Sequence, residues 1–128
     1  MSGAVLDASA VLALLHRERG WQVVLKHLPQ ARLSVVNLCE VMGKLEEAGV
    51  PATEAESIVA SLPIALEHFT KQDAKAAARL RVPTRHRGLS LGDRACLALA
   101  ARERAVAVTA DRQWADLDLG ISVLIIRE

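Results

Sequence analysis

Four carboxylates sit at four structural joints of the chain: Asp7, Glu40, Asp93 and Asp111. Asp7 closes the run Val5-Leu6, and Asp111 closes Val106-Ala107-Val108-Thr109-Ala110. In open parallel sheets, ligands bind beyond the ends of the strands. Two acids at such ends, with two more on helices leaning over the same edge, make a concentrated negative pocket. Oxygen ligands of this kind suit a hard divalent cation, Mg²⁺ or Mn²⁺. Two carboxylates held about 4 Å apart repel by about 4 kcal/mol at an effective dielectric of about 20, and a bound cation reverses that sign. Without the cation, at least one of the four is expected to hold a proton with raised pKa, and the set is expected to titrate as a coupled group.

Each acid also has a purely structural explanation. Asp7 can cap the helix that follows it, Asp111 can cap the short one behind it, and Asp93 can close a capping box with Ser90. Glu40 lies off its helix's apolar stripe and can be a solvated surface charge. Taken together they favour the pocket, because Asp7 and Asp111 emerge on one sheet edge. Ser9 and Thr109 lie near the strand ends, and Asn37 lies one turn before Glu40. These three can support the carboxylates or serve as caps. Glu46, Glu47, Glu54, Glu56, Glu67 and Glu103 read as surface charges. His16, His27, His68 and His86 have no metal-ligand spacing, and the chain holds no HExxH, P-loop, GxGxxG or GxSxG motif.

The elements that must position the acids follow from apolar periodicity. Val5-Leu6 is expected as a short strand, followed by a helix to about His16. Gly20 precedes a helix from Trp21 to about Leu28, stopped by Pro29. Arg32 to Val36 is expected as a strand feeding a helix from Asn37 to Ala48, with Leu38, Val41, Met42 and Leu45 as its core stripe. Thr53 and Glu56 read as a capping box for the next helix. A short strand at Pro63 to Leu66, a helix at Lys71 to Arg81 and a loop at Pro83 to Gly88 follow. Ser90-Leu91-Gly92-Asp93 opens a nearly all-apolar helix. Val106 to Thr109 reads as a strand, Asp111 to Leu117 as one or two helical turns, and Ser122 to Ile126 as the last strand. Alternating strands and helices imply an α/β domain with a mostly parallel sheet covered on both faces.

With 128 residues the chain is expected to form one domain, residues 1–128. It is 52% hydrophobic, which excludes disorder. Tyrosine is absent and Trp21, Phe69 and Trp114 are the only aromatics, so an aromatic base-stacking platform is not expected. The net charge of +1 hides an asymmetry. Residues 71–94 carry Lys71, Lys75, Arg79, Arg81, Arg85, Arg87 and Arg94 against Asp73 and Asp93, a net +5. Residues 1–70 carry −3. A basic strip beside an acidic metal site suits a phosphate backbone, and Arg85, Arg87, Arg94 and Arg112 are candidate phosphate clamps. Cys39 and Cys96 read as buried free thiols of a reducing compartment. With no apolar span and no secretory pattern, the expected location is the cytoplasm.

The segments VLDASAVLALL at 5–15, VVNLCEV at 35–41, LSLGDRACLALA at 89–100 and VTADRQW at 108–114 occur in this order across nearly the whole chain. In this series the chain resembles the PIN-domain family, and within it the VapC-type toxins of bacterial toxin–antitoxin pairs. The resemblance implies a three-layer α/β/α domain and a Mg²⁺- or Mn²⁺-dependent endoribonuclease held inactive by a cognate antitoxin. It maps the acidic site onto Asp7, Glu40, Asp93 and Asp111, with Ser9 and Thr109 at supporting positions and Asp116 as a looser match near the edge. The helices Trp21 to Leu28 and Glu54 to Leu62 are candidate faces for an antitoxin or a homodimer. An alternative role is a binding module whose acidic pocket takes an arginine from the antitoxin, without nuclease activity of its own. A phosphorylated receiver-type protein fits poorly, since the Pro63 to Glu67 region offers no nucleophilic Asp.

Overall fold

A computed structural model describes residues 3–128. Five short strands form one wholly parallel sheet: β1 (Ala4–Leu6), β2 (Ala31–Ser34), β3 (Ala65–Glu67), β4 (Val106–Thr109) and β5 (Val123–Ile125), in the order β3-β2-β1-β4-β5. β1 is central. Leu6 lies beside Leu33 on one side and Val108 on the other, so the residues following β1 and β4 leave the sheet side by side.

The pleat divides the interior in two. Ala4 and Leu6 enter a core with Val11, Val24, Val41, Leu45, Ala55 and Val59. These residues come from α1 (Ala8–His16), α2 (Trp21–His27), α3 (Val35–Glu47) and α4 (Ala52–Ala60). Val5, with Ala107, enters the opposite core against Cys96, Leu97, Leu99 and Trp114. That face is covered by α7 (Leu91–Glu103), with α5 (Lys71–Arg79) packed on it. Helices thus cover both faces, the three-layer α/β/α arrangement. α7 is buried at eight of its thirteen positions, as its apolar sequence demands.

Several boundaries differ from the expected ones for local reasons. α3 starts at Val35 rather than Asn37, because the Ser34 hydroxyl accepts the Val36 N–H and caps it. β2 is correspondingly shorter. Thr53 caps nothing; α4 starts two residues earlier than expected, behind Pro51, whose carbonyl accepts the Ala55 N–H. Capping boxes do form at α5, between Thr70 and Asp73, and at α7, between Ser90 and Asp93 as expected. Pro83 does not open a loop but sits in the first turn of a four-residue helix, α6 (Arg81–Thr84), where its missing N–H costs nothing. Beyond Asp111 only a 3-10 turn, Arg112–Trp114, is helical. Glu67 and Glu103 are not solvated surface charges: with Arg32, Arg102 and the buried Asp73 they form an ion network tying β2, β3, α5 and α7 together.

Candidate metal and nuclease site

Asp7 stands at the centre. It follows β1, caps α1 and is 3% exposed. Its Oδ1 accepts the Ala10 N–H at 2.8 Å and the Ser9 hydroxyl at 2.7 Å, and its Oδ2 accepts the Thr109 hydroxyl at 2.6 Å. Burial pushes its carboxyl up to about 6 from an ordinary 3.8, against the pull of those three hydrogen bonds, and the charge of Asp93 adds to the rise.

Thr109 and Ser9 link the ends of β1 and β4. The Thr109 oxygen also accepts the Asp111 N–H at 3.0 Å and lies 3.3 Å from the Ser9 oxygen, which accepts the Ala110 N–H at 2.9 Å. Both hydroxyls spend their protons on Asp7 and their lone pairs on the backbone entering Asp111. Asp111 in turn caps the 3-10 turn behind it, Oδ1 accepting the Gln113 N–H at 2.9 Å.

Asp93 is fixed by α7's capping box: its Oδ2 accepts the Ser90 N–H at 2.8 Å while the Ser90 hydroxyl accepts the Asp93 N–H at 3.2 Å. Burial raises its carboxyl pKa; the negative charge of Asp111 raises it further, while the Ser90 bonds and Arg94 work the other way. Glu40 comes across from α3. The Asn37 amide donates both to its Oε1 at 2.8 Å and to the Gly92 carbonyl at 3.1 Å, which fastens Glu40 to the first turn of α7. The sulfur of Cys96, wholly buried, lies 3.8 Å from the Val5 carbonyl. Burial pushes its thiol pKa up, with Asp7, Asp93 and Glu40 all contributing negative charge. One thiol therefore registers three of the four acids, and Asp93 registers the fourth.

The donor set suits a hard cation. It is all oxygen, and Asp93, Asp111 and Glu40 each tie one oxygen to a nearby donor while the other has no protein partner among the described residues. Asn37 Oδ1 is a further buried acceptor without a protein partner. In their present rotamers, no three His, Cys, Asp or Glu groups among the described residues converge into a ready cage.

A PIN domain model matches residues 4–119. This chain belongs to the PIN domain family. No curated protein sequence matches it. Solved structures do. A toxin–antitoxin complex from Klebsiella pneumoniae superposes with TM-score 0.76 at 21% identity, covering 98% of this chain and 99% of that one. DNA-bound VapBC from Salmonella typhimurium gives 0.75 at 15%, covering 97% and 98%. VapC20 from Mycobacterium tuberculosis, a toxin that cleaves the sarcin–ricin loop, gives 0.72 at 20%, covering 86% and 91%. At these identities the likeness establishes the fold. PIN domains as a family are generally nucleases that use divalent metals.

The arginines around this PIN domain's acids are not equivalent. Arg94, expected as a phosphate clamp, is 7% exposed and donates to the Ala77 carbonyl at 3.0 Å, so it binds α7 to α5 instead. A buried arginine following a helix's capping acid reads like a surface one in sequence. Arg85 and Arg112 are exposed, and Arg87 donates to the Gln113 carbonyl at 3.0 Å, bridging to the turn after Asp111. Arg112 lines an open cleft of about 550 Å³ with Arg19 and Arg127, beside Ile125 and Ile126 at the end of β5. Arg127 is held in that cleft by Glu18 Oε1 at 3.3 Å and by the Arg19 carbonyl at 3.0 Å, contacts between residues too far apart in the chain to be read from the sequence. Asp116 is exposed, with backbone φ 60°, and makes no hydrogen bond to the cluster. Cys39, expected to be buried, is exposed on α3. Its helix presents Val41 and Leu45 to the core, and Cys39 falls on the other side. Among the described residues no helix is long and apolar enough to cross a membrane.

Proposed function

We propose that this PIN domain, acting over residues 1–128 as one unit, is the toxin of a toxin–antitoxin pair: an endoribonuclease that hydrolyses RNA phosphodiester bonds with Mg²⁺ or Mn²⁺. The observation that carries the reading is the buried Asp7 carboxylate, braced by Ser9, Ala10 and Thr109 and raised in pKa by burial and by the charge of Asp93. A fold that needed only a helix cap there would not have to oppose burial with three hydrogen bonds. The residues that would hold the ion are Asp7, Asp93 and Asp111, with Glu40 as a ligand or an orienter of water. When bound, the ion lowers the pKa of water and stabilises charge on the phosphate oxygens.

The chain's own residues do the rest. Ser9 and Thr109 keep Asp7 in one rotamer. Asn37 holds Glu40 over α7, and Ser90 does the same for Asp93 by its cap. Arg85, Arg87 and Arg112, with Arg19 and Arg127 along the cleft, pair with backbone phosphates flanking the cut. Attack by water leaves 5′-phosphate and 3′-hydroxyl ends. The antitoxin answers both to the acids, as a site for its arginine, and to the faces of α2 and α4, of which α2 leaves Leu25 exposed. One such face also serves a homodimer. Work on RNA places the protein in the cytoplasm.

The test is incubation of the purified chain with total RNA and Mn²⁺ or EDTA, with end-mapping of the fragments. Cleavage is expected with Mn²⁺ and not with EDTA, and it should vanish in Asp7→Asn. Cyclic phosphate ends would overturn the water mechanism. A chain that binds no Mn²⁺ and cuts nothing leaves the pocket as an arginine receptor for the antitoxin.

A further inference from the structure

α7 carries a glycine in its first turn, Gly92, between Leu91 and Asp93. Glycine there weakens a helix, since it has more freedom to lose on folding. Its φ is not left-handed, so no turn requires it. The reason lies across the pocket. The three atoms nearest a Cβ placed on Gly92 are Cδ, Oε1 and Oε2 of Glu40, all far inside van der Waals contact. Glu40 is otherwise an exposed side chain with many rotamers open to it. Two features seat it: the Asn37 amide, which grips Glu40 and the Gly92 carbonyl together, and the hollow left by the missing side chain. The amino end of α7 faces that carboxylate with the positive end of the helix dipole, which offsets the neighbouring acids.

We propose that Gly92 is a positioning residue, its bare backbone being the seat that brings the Glu40 carboxylate over the first turn of α7 and into the metal pocket. This rests on the metal-site reading above. A methyl group at this position meets the flexible end of Glu40, so it displaces the acid and leaves the fold in place. Gly43, on α3, supplies the control, because a Cβ there meets nothing within 4 Å.

The experiment compares Gly92→Ala, Gly43→Ala, Glu40→Ala and the Gly92→Ala/Glu40→Ala pair. Gly92→Ala is expected to melt no lower than the unmodified chain. Its Mn²⁺ affinity and RNA cleavage should fall on the order of tenfold or more, the usual effect of losing a group that orients a ligand. The Glu40 side-chain carboxyl ¹³C resonance should move even without metal. Added to Glu40→Ala, the Gly92 change should alter neither binding nor cleavage, and Gly43→Ala should leave both as they were. An unmoved Glu40 resonance with full Mn²⁺ affinity overturns the proposal. So does a Gly92→Ala chain that unfolds and is not repaired by Glu40→Ala. A parent chain that cuts no RNA removes the nuclease reading, while the resonance still decides the role of Gly92.

Discussion

Asp7→Asn should make the cation-free protein more stable, and the gain should depend on pH. In the folded chain the Asp7 carboxyl titrates near 6, against an ordinary 3.8. Between those values the native state binds more protons than the unfolded one, so stability falls as pH rises. Above pH 6 the full cost applies, about 3 kcal/mol for a difference of this size. Asparagine keeps the geometry. Its carbonyl oxygen can accept from Ala10 and Ser9 while its amide takes the place facing Thr109, whose hydroxyl turns to receive it. The variant should therefore match the parent near pH 4 and exceed it by about 3 kcal/mol at pH 8, or roughly 10 °C in melting temperature for a chain of this length. Urea unfolding in EDTA at a series of pH values measures this directly. Mn²⁺ should invert the order at pH 8, because the parent alone gains binding energy. A stability difference that stays constant from pH 4 to 8 would falsify the claim that Asp7 is ionised against its surroundings.

Other outcomes follow from the same contacts. Thr109→Val removes the Asp7 donor and the acceptor for the Asp111 N–H together; it should raise the Asp7 pKa further, cost about 1–3 kcal/mol, and move the pH at which Mn²⁺ binds upward in a calorimetric titration. In the parent chain, Mn²⁺ affinity should weaken as pH falls through 6, since ligation requires the ionised carboxylate. Arg102→Ala strands the buried Asp73 carboxylate and should cost about 2–4 kcal/mol in urea unfolding, with Mn²⁺ affinity untouched. A thiol reagent should modify one cysteine quickly, Cys39, and reach Cys96 only on unfolding; equal rates would refute the burial assigned to them.

Much of the architecture was legible because periodicity and chain order speak plainly. The runs before Asp7 and Asp111, the apolar stripe of α3 and the nearly all-apolar α7 fix where strands and covering helices fall. Boundaries were less legible where a single side chain decides them. Ser34 starts α3 early, Thr70 rather than Thr53 builds a capping box, and Pro83 fits a first turn as easily as a loop. The four acids could be singled out by position and by resemblance, but not what holds them. Asn37 reaching both Glu40 and Gly92, or Thr109 serving Asp7 and Asp111 at once, depends on elements distant in sequence. Arg94 shows the opposite case: a cation beside a catalytic candidate in sequence, turned into the helix interface by α5. Gly92 offered only the absence of a side chain, whose meaning comes from α3.

The Thr109–Asp7 bond joins residues 102 positions apart. During synthesis Asp7 is made long before its bracing hydroxyl and the last acid, which arrive only with β4. Local helices can form early, whereas contacts of this sequence separation wait for the late strand to dock. A nascent chain therefore carries every part of the pocket except the one that closes it. On the ribonuclease reading proposed above, the site would thus stay silent until β4 has been made and has docked, an interval in which a partner can meet the chain.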